Sequence, residues 1–355
     1  MPQTHETIPP QEPTLGSRGP LLRVENLTVD FHTYAGVVQA VRGVSFELGY
    51  GETLAVVGES GSGKSVTAQA ILGLLPRPPA QIRSGRILFG GRNLLELGER
   101  EWENVRGREI AMVFQDPMTA LNPTMTIGRQ IAEGFQKHTG ADAREAEEWA
   151  VELLRLVGIP QPEVRVRQYP HEFSGGMRQR VVIAIALASR PKLIIADEPT
   201  TALDVTIQAQ ILELLMELKT RFGTSLILIT HDLGVVARVA DRVLVMYAGE
   251  GVEWGTAEEV FAETRHPYTW GLLNSLPRLD KDRREPLVSI PGSPPNLLKP
   301  PSGCAFHPRC PFAMEICRQA SPPEYRFLPT HGARCFLHHP AAPRIAPVVQ
   351  GGDRA

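Results

Sequence analysis

The chain has 355 residues, a formal net charge of -2 and 42% hydrophobic residues. That is enough chain for a large core and more than one domain. The near-neutral charge gives no electrostatic case for a binder of nucleic acid or of an anionic membrane. No apolar run approaches the roughly 18 residues that span a bilayer, so membrane association is expected only through partners, at the cytoplasmic face.

The first 20 residues are polar and proline-rich, without the basic start and apolar stretch of a signal peptide, and read as a disordered lead. From Leu21 to Glu47 short stretches alternate apolar and polar residues, which predicts antiparallel strands with a turn near Gly36. Thr53 to Val57 reads as a short buried strand, and Val66 to Leu75 as helix. Between them lies Gly58-Glu59-Ser60-Gly61-Ser62-Gly63-Lys64-Ser65, which fits the pattern G-x-x-x-x-G-K-S. Glycines let backbone N–H groups converge on phosphate oxygens, the following helix adds its positive end, Lys64 supplies a cation and Ser65 a hydroxyl for Mg²⁺.

Arg86 to Phe89 reads as a strand. From about residue 117 to 175 the pattern turns helical, with Asp142 and Glu145 spaced as a capping box. Phe173-Ser174-Gly175-Gly176-Met177 reads as a serine-capped helix start, with helix from about Arg178. Such a start points N–H groups and a hydroxyl at an anion. Leu193 to Ala196 reads as a buried strand ending in Asp197-Glu198. The first acid can hold Mg²⁺, and the second can polarise an attacking water. Ile207 to Lys219 reads as helix, with strands at Ser225 to Thr230 and Val243 to Met246. This alternation predicts an α/β fold with a parallel sheet and flanking helices.

Past residue 255 proline and arginine become frequent and apolar periodicity fades. A small irregular extension is predicted over 256–340, with a flexible tail over 341–355. It carries Cys304, Cys310, Cys317 and Cys335, the chain's four cysteines. A cytosolic setting argues against disulfides, and four thiolates suit Zn²⁺ or an iron–sulfur cluster. The spacing leaves both open, and His307 and His338 are further zinc donors in principle.

The glycine loop, the Ser-Gly-Gly turn and the Asp-Glu strand end lie in the order found in ATP-binding cassette proteins, and over roughly residues 21 to 260 the chain resembles that family. The resemblance implies a P-loop ATPase core over 21–255, with an antiparallel β subdomain and a helical subdomain (about 117–175). It implies that Glu198 is the general base and His231 a switch contacting the γ-phosphate. Gln115 would touch Mg²⁺ and the attacking water. Nucleotide contacts would come from the glycine loop through Val66, from Asp197, and from a base-stacking aromatic, Tyr34 before Phe31. Ser174, Gly175 and Gly176 would close on ATP held by a second cassette, which Asp204 in Thr201-Ala202-Leu203-Asp204 would also contact. The family's usual turn is Leu-Ser-Gly-Gly-Gln; here Phe173 and Met177 replace its ends.

Phe114-Gln115-Asp116-Pro117-Met118, Leu121-Asn122-Pro123, His266-Pro267-Tyr268-Thr269 and the cysteine tail resemble more closely the D-type ATPase of dipeptide and oligopeptide permeases, a pattern that nickel importers share. That branch implies ATP and Mg²⁺, a [4Fe–4S] cluster on the four cysteines, and two transmembrane permease subunits. It also implies a second cassette, either a related F-type subunit or another copy of this chain, and an external binding protein acting indirectly. A soluble cassette ATPase of translation or repair and a P-loop kinase are the competing readings. The single cassette and the lack of basic charge weigh against the first, the Ser-Gly-Gly turn and His231 against the second.

Overall fold

A computed structural model describes residues 19–201, 203–275 and 290–343. The predicted lead up to residue 18, Ala202 and the tail from residue 344 lie outside the described residues.

Two sheets organise the described residues. Strands β1 (Leu22–Thr33), β2 (Gly36–Leu48), β4 (Ala80–Phe89) and β5 (Arg92–Asn93) form one, all antiparallel, in the order β2-β1-β4-β5. The β1–β2 hairpin closes on Thr33 opposite Gly36, at the predicted turn. β4 begins six residues before its predicted start. Its first half carries the polar residues Gln81, Arg83 and Ser84 and lacks an apolar run.

The second sheet has eight strands. Besides β3 (Thr53–Val57) it holds β6 (Ile110–Val113), β7 (Leu193–Asp197), β8 (Ser225–Thr230), β9 (Arg242–Tyr247), β10 (Glu250–Thr256), β11 (Tyr325–Arg326) and β12 (Gly332–Ala333), in the order β11-β12-β10-β9-β3-β8-β7-β6. The five strands β9, β3, β8, β7 and β6 are parallel. Strands β3, β7 and β8 are buried throughout, which suits their nearly unbroken Val, Ile and Leu content. Because these strands share one direction, the loops after β3, β6, β7 and β8 emerge along one edge. Ligands of open parallel sheets bind beyond that edge.

The helices Ile127–Thr139 and Ala143–Leu156 form the body of the helical region. Asp142 accepts from the amides of Arg144 and Glu145, and Glu145 reaches back to the Asp142 amide, so the expected capping box forms. Trp149 Nε1 donates to the Ala188 carbonyl at 2.9 Å and joins this region to the end of helix Gly175–Leu187. Leu153, Leu154, Ile183 and Leu187 lie fully buried between them. Each such side chain contributes roughly 1.5–3 kcal/mol of burial.

The extension is more regular than its composition suggested. It supplies β11 and β12, which continue the main sheet beyond β10, and the helices Ala257–Ala262 and Pro267–Asn274. The fully buried carboxylate of Glu253 accepts from the amides of Arg265 and His266 and pairs with His331 Nε2 at 3.2 Å. A buried charge that loses such partners is strongly destabilising.

His266 caps its helix through Nδ1, which accepts from the Tyr268 amide at 3.1 Å. Burial, with His338 second, holds its pKa down at about 3. Between pH 6.5 and 3 the unfolded chain therefore takes a proton that the folded chain refuses. Stability is complete above pH 6.5 and is lost as pH falls, by up to about 1.4 kcal/mol per unit. His266→Asn keeps a capping acceptor. From pH 7 to 5 its unfolding free energy is expected to drop by about 1–2 kcal/mol less than that of the parent. Parallel pH profiles in urea titrations would count against this origin.

Candidate nucleotide site

The glycine loop leaves β3 and enters helix Lys64–Ile71, two residues earlier than the apolar pattern placed the helix start. Two glycines are enforced sterically. Gly58 has φ 151°, and a Cβ there would lie 2.2 Å from the Met246 carbonyl oxygen; Gly63 has φ 97°, and a Cβ would lie 2.5 Å from that of Ala40. The loop thus sits pressed against β9 and β2. Lys64 is buried, and its Nζ donates to the carbonyls of Gly58 at 2.7 Å and Glu59 at 3.0 Å. Desolvation lowers its pKa, opposed by the charges of Glu198, Asp197 and Glu59.

Asp197, at the end of β7, accepts from Ser65 Oγ at 3.0 Å. Burial raises its pKa and the Ser65 bond lowers it. A hydroxyl and a carboxylate 3.0 Å apart at a phosphate loop form a donor set for Mg²⁺.

Glu198 is the junction of the neighbouring loops. Its Oε2 accepts from Thr201 Oγ1 at 2.8 Å and from Gln115 Nε2 at 3.4 Å, and lies 3.5 Å from His231 Nδ1. Its backbone has φ 45°, and its N–H donates a hydrogen bond to the Ile229 carbonyl at 2.9 Å. A non-glycine residue in the left-handed region is strained by about 1–3 kcal/mol. The three predicted catalytic residues, Glu198, His231 and Gln115, therefore meet at one carboxylate.

Ser174 caps the helix Gly175–Leu187 by accepting from the Met177 amide, and the glycines face Leu203 and Ile207. The helix starts at Gly175 and not at Arg178, because the serine cap and the packing of Gly176 at Ile207 offset glycine's poor helix propensity. Phe173, at the position of the family's leucine, is buried in the core of the helical region. Asp204 caps helix Val205–Phe222 through the Ile207 amide at 3.0 Å. Tyr34 sits fully exposed at the tip of the β1–β2 hairpin, and Phe31 packs against the core.

Three contributors were not visible in the sequence. In the sequence Thr201 stands out only as part of the loop expected to face another subunit. Tyr268 and Arg309, from the extension, touch the glycine loop at Glu59.

Cys304, Cys310, Cys317 and Cys335 are free thiols. Burial, with neighbouring cysteine charges adding to it, pushes Cys304 and Cys335 up to about 12 and Cys310 up to about 11. The cysteines thus sit near one another. Among the described residues, however, no group of three or more His, Cys, Asp or Glu side chains is arranged to hold a metal ion. The expected four-cysteine ligand set is not assembled in this structure.

Residues 41–201 match the ABC transporter family, and residues 252–317 match the C-terminal region of oligopeptide/dipeptide transporters. The chain is 60% identical to the oligopeptide transport ATP-binding protein OppD of Bacillus subtilis, over 92% of this chain and 91% of that protein. It is 57% identical to the dipeptide transport ATP-binding protein DppD of Lactococcus lactis subsp. cremoris, over 92% and 93%. A dimeric post-hydrolysis structure of the ATP-binding cassette MJ0796 bound to ADP and Pi superposes with a TM-score of 0.60 at 28% identity, covering 66% of this chain and 98% of that one. The fold and phosphate loop define an α/β P-loop ATPase cassette. The chain belongs to the ABC transporter ATPase family, with the oligopeptide/dipeptide type of C-terminal region.

Proposed function

We propose that the chain is the ATP-binding and hydrolysing subunit that powers an importer of dipeptides or oligopeptides. The observation that carries this is the 60% identity, over nine-tenths of both chains, to an oligopeptide transport ATP-binding protein. The C-terminal match over 252–317 favours peptide over nickel as the cargo class. No helix among the described residues is long and apolar enough to cross a membrane. By this proposal the chain works at the cytoplasmic face, docked on two transmembrane permease subunits that receive substrate from an external binding protein.

In this reading Gly58 to Val66 hold the phosphates of ATP, and Tyr34 stacks on the base. Ser65 and Asp197 hold the accompanying Mg²⁺, with Gln115 in reach. Glu198 takes a proton from water as that water attacks the γ-phosphorus; the bond to the β-phosphate oxygen breaks, and ADP and phosphate leave. His231 and Thr201 keep the Glu198 carboxylate aimed. Ser174, Gly175 and Gly176, with Asp204, serve the nucleotide of a second cassette, a related F-type subunit in preference to another copy of this chain. Co-purification with two membrane subunits and one related cassette is the result expected from tagged protein in its own membrane. A chain recovered alone in mild detergent would contradict the assembly.

The four cysteines, by this proposal, bind a [4Fe–4S] cluster once the thiols lose their protons, with Zn²⁺ the alternative. Their mutual proximity supports this. A bound metal supplies the positive charge that lets buried thiolates form. Protein purified without oxygen should carry near four irons and four sulfides per chain, lost in Cys310→Ser. Absence of iron and zinc would overturn the metal assignment and leave the ATPase reading standing.

A further inference from the structure

Glu59 is the one acidic side chain of the glycine loop, and the extension grips it twice. Arg309 makes a two-pronged ion pair with its carboxylate, Nη1 to Oε2 at 2.6 Å and Nη2 to Oε1 at 3.0 Å, with the arginine side chain only 6% exposed. The Tyr268 hydroxyl accepts from the Glu59 amide at 2.8 Å. The third handle of Glu59, its carbonyl, accepts from Lys64.

Arg309 is itself fixed. Its Nε donates to the Pro291 carbonyl at 2.9 Å, and its Nη2 reaches those of Ile290 and Gly292 at 3.3 Å. Its Nη1 donates to the Tyr247 hydroxyl at 3.3 Å, and Tyr247 packs with Tyr268 and Phe306 at ring separations of 4.6 and 5.1 Å. An arginine with its donors spent on rigid acceptors is an anchor and not a mobile surface charge.

We propose that Arg309 is a positioning residue for nucleotide binding: through Glu59 it holds the phosphate loop in shape and cancels a carboxylate that would otherwise repel phosphate. The Cys-bearing extension thereby sets ATP affinity from 250 residues downstream of the loop. The proposal rests on the reading of the loop as an ATP site. Arg309 touches no reacting atom, so its effect falls on affinity and not on the chemical step.

The test uses the full-length chain and a fluorescent ATP analogue. Arg309→Met is expected to raise its Kd about tenfold, the loss of one charge-assisted pair. Turnover at saturating ATP, measured with the partner subunits, should stay within about twofold. Amide exchange at Gly58 to Ser62 should quicken. Adding Glu59→Gln to Arg309→Met removes the stranded carboxylate and should recover affinity to within about threefold of the parent. Arg309→Lys, which keeps the cation, should fall between parent and Arg309→Met, and serves if Arg309→Met does not fold. Parental affinity in Arg309→Met or, failing that, in Arg309→Lys would overturn the proposal. So would a double variant as weak as Arg309→Met, which would mark a merely structural arginine. Failure of the parent chain to bind the analogue would instead overturn the ATP site itself.

Discussion

Glu198→Gln is expected to lower ATP turnover by roughly 10²- to 10³-fold while leaving ATP affinity within about twofold of the parent. The substitution keeps size and shape but removes the acceptor for a proton. The surroundings favour a selective loss. Thr201, Gln115 and His231 all address the same Oε2, and the backbone strain at φ 45° belongs to the main chain and persists in the variant. The proposed phosphate contacts lie in a different loop, after β3, and are left unchanged by this substitution. Hydrolysis must be measured in the assembled complex, because the second cassette completes each site in the proposed mechanism. A variant retaining most of its turnover there would remove Glu198 from the role of base and point to another acceptor for the water proton.

Lys64→Ala should have the opposite profile, with ATP affinity falling roughly a hundredfold, about 2.7 kcal/mol, in a direct binding titration. Lys64 is the buried cation facing Glu198, Asp197 and Glu59. Without it, ATP phosphates approach a loop that faces the carboxylates of Asp197 and Glu198 with no lysine cation to offset them. The carbonyls of Gly58 and Glu59 also lose their donor, which loosens the loop itself. An affinity within about twofold of the parent would show that backbone N–H groups alone carry phosphate binding.

The parts of the site that were legible in the sequence are those made of contiguous residues. Gly58 to Ser65 and Asp197-Glu198 each announce themselves because strand, turn and helix signals adjoin them. The buried strands β3 and β8 match their predicted limits, Thr53–Val57 and Ser225–Thr230, since short apolar runs bounded by turn residues leave little freedom in their ends. The glycine-rich helix starts were placed too late, because propensity penalises Gly175 and Gly176 while the fold uses them for packing against Leu203 and Ile207.

What was hidden is what depends on distant pairing. β11 and β12 are two residues each, too short to show alternation, and they exist only because β10 offers an edge. The ion pair between Glu59 and Arg309 joins residues 250 positions apart, and neither segment signals the other. The extension therefore looked like an appendage in sequence and is a support of the phosphate loop in space.

The most direct test of the central claim is ATP-dependent uptake of a labelled oligopeptide into vesicles containing this chain, its related cassette, the two permease subunits and the binding protein. Uptake that requires ATP and disappears with Glu198→Gln in this chain is the predicted result. Uptake at the parental rate with that variant, or steady hydrolysis by the intact complex with neither dipeptide nor longer peptide moved, would contradict it.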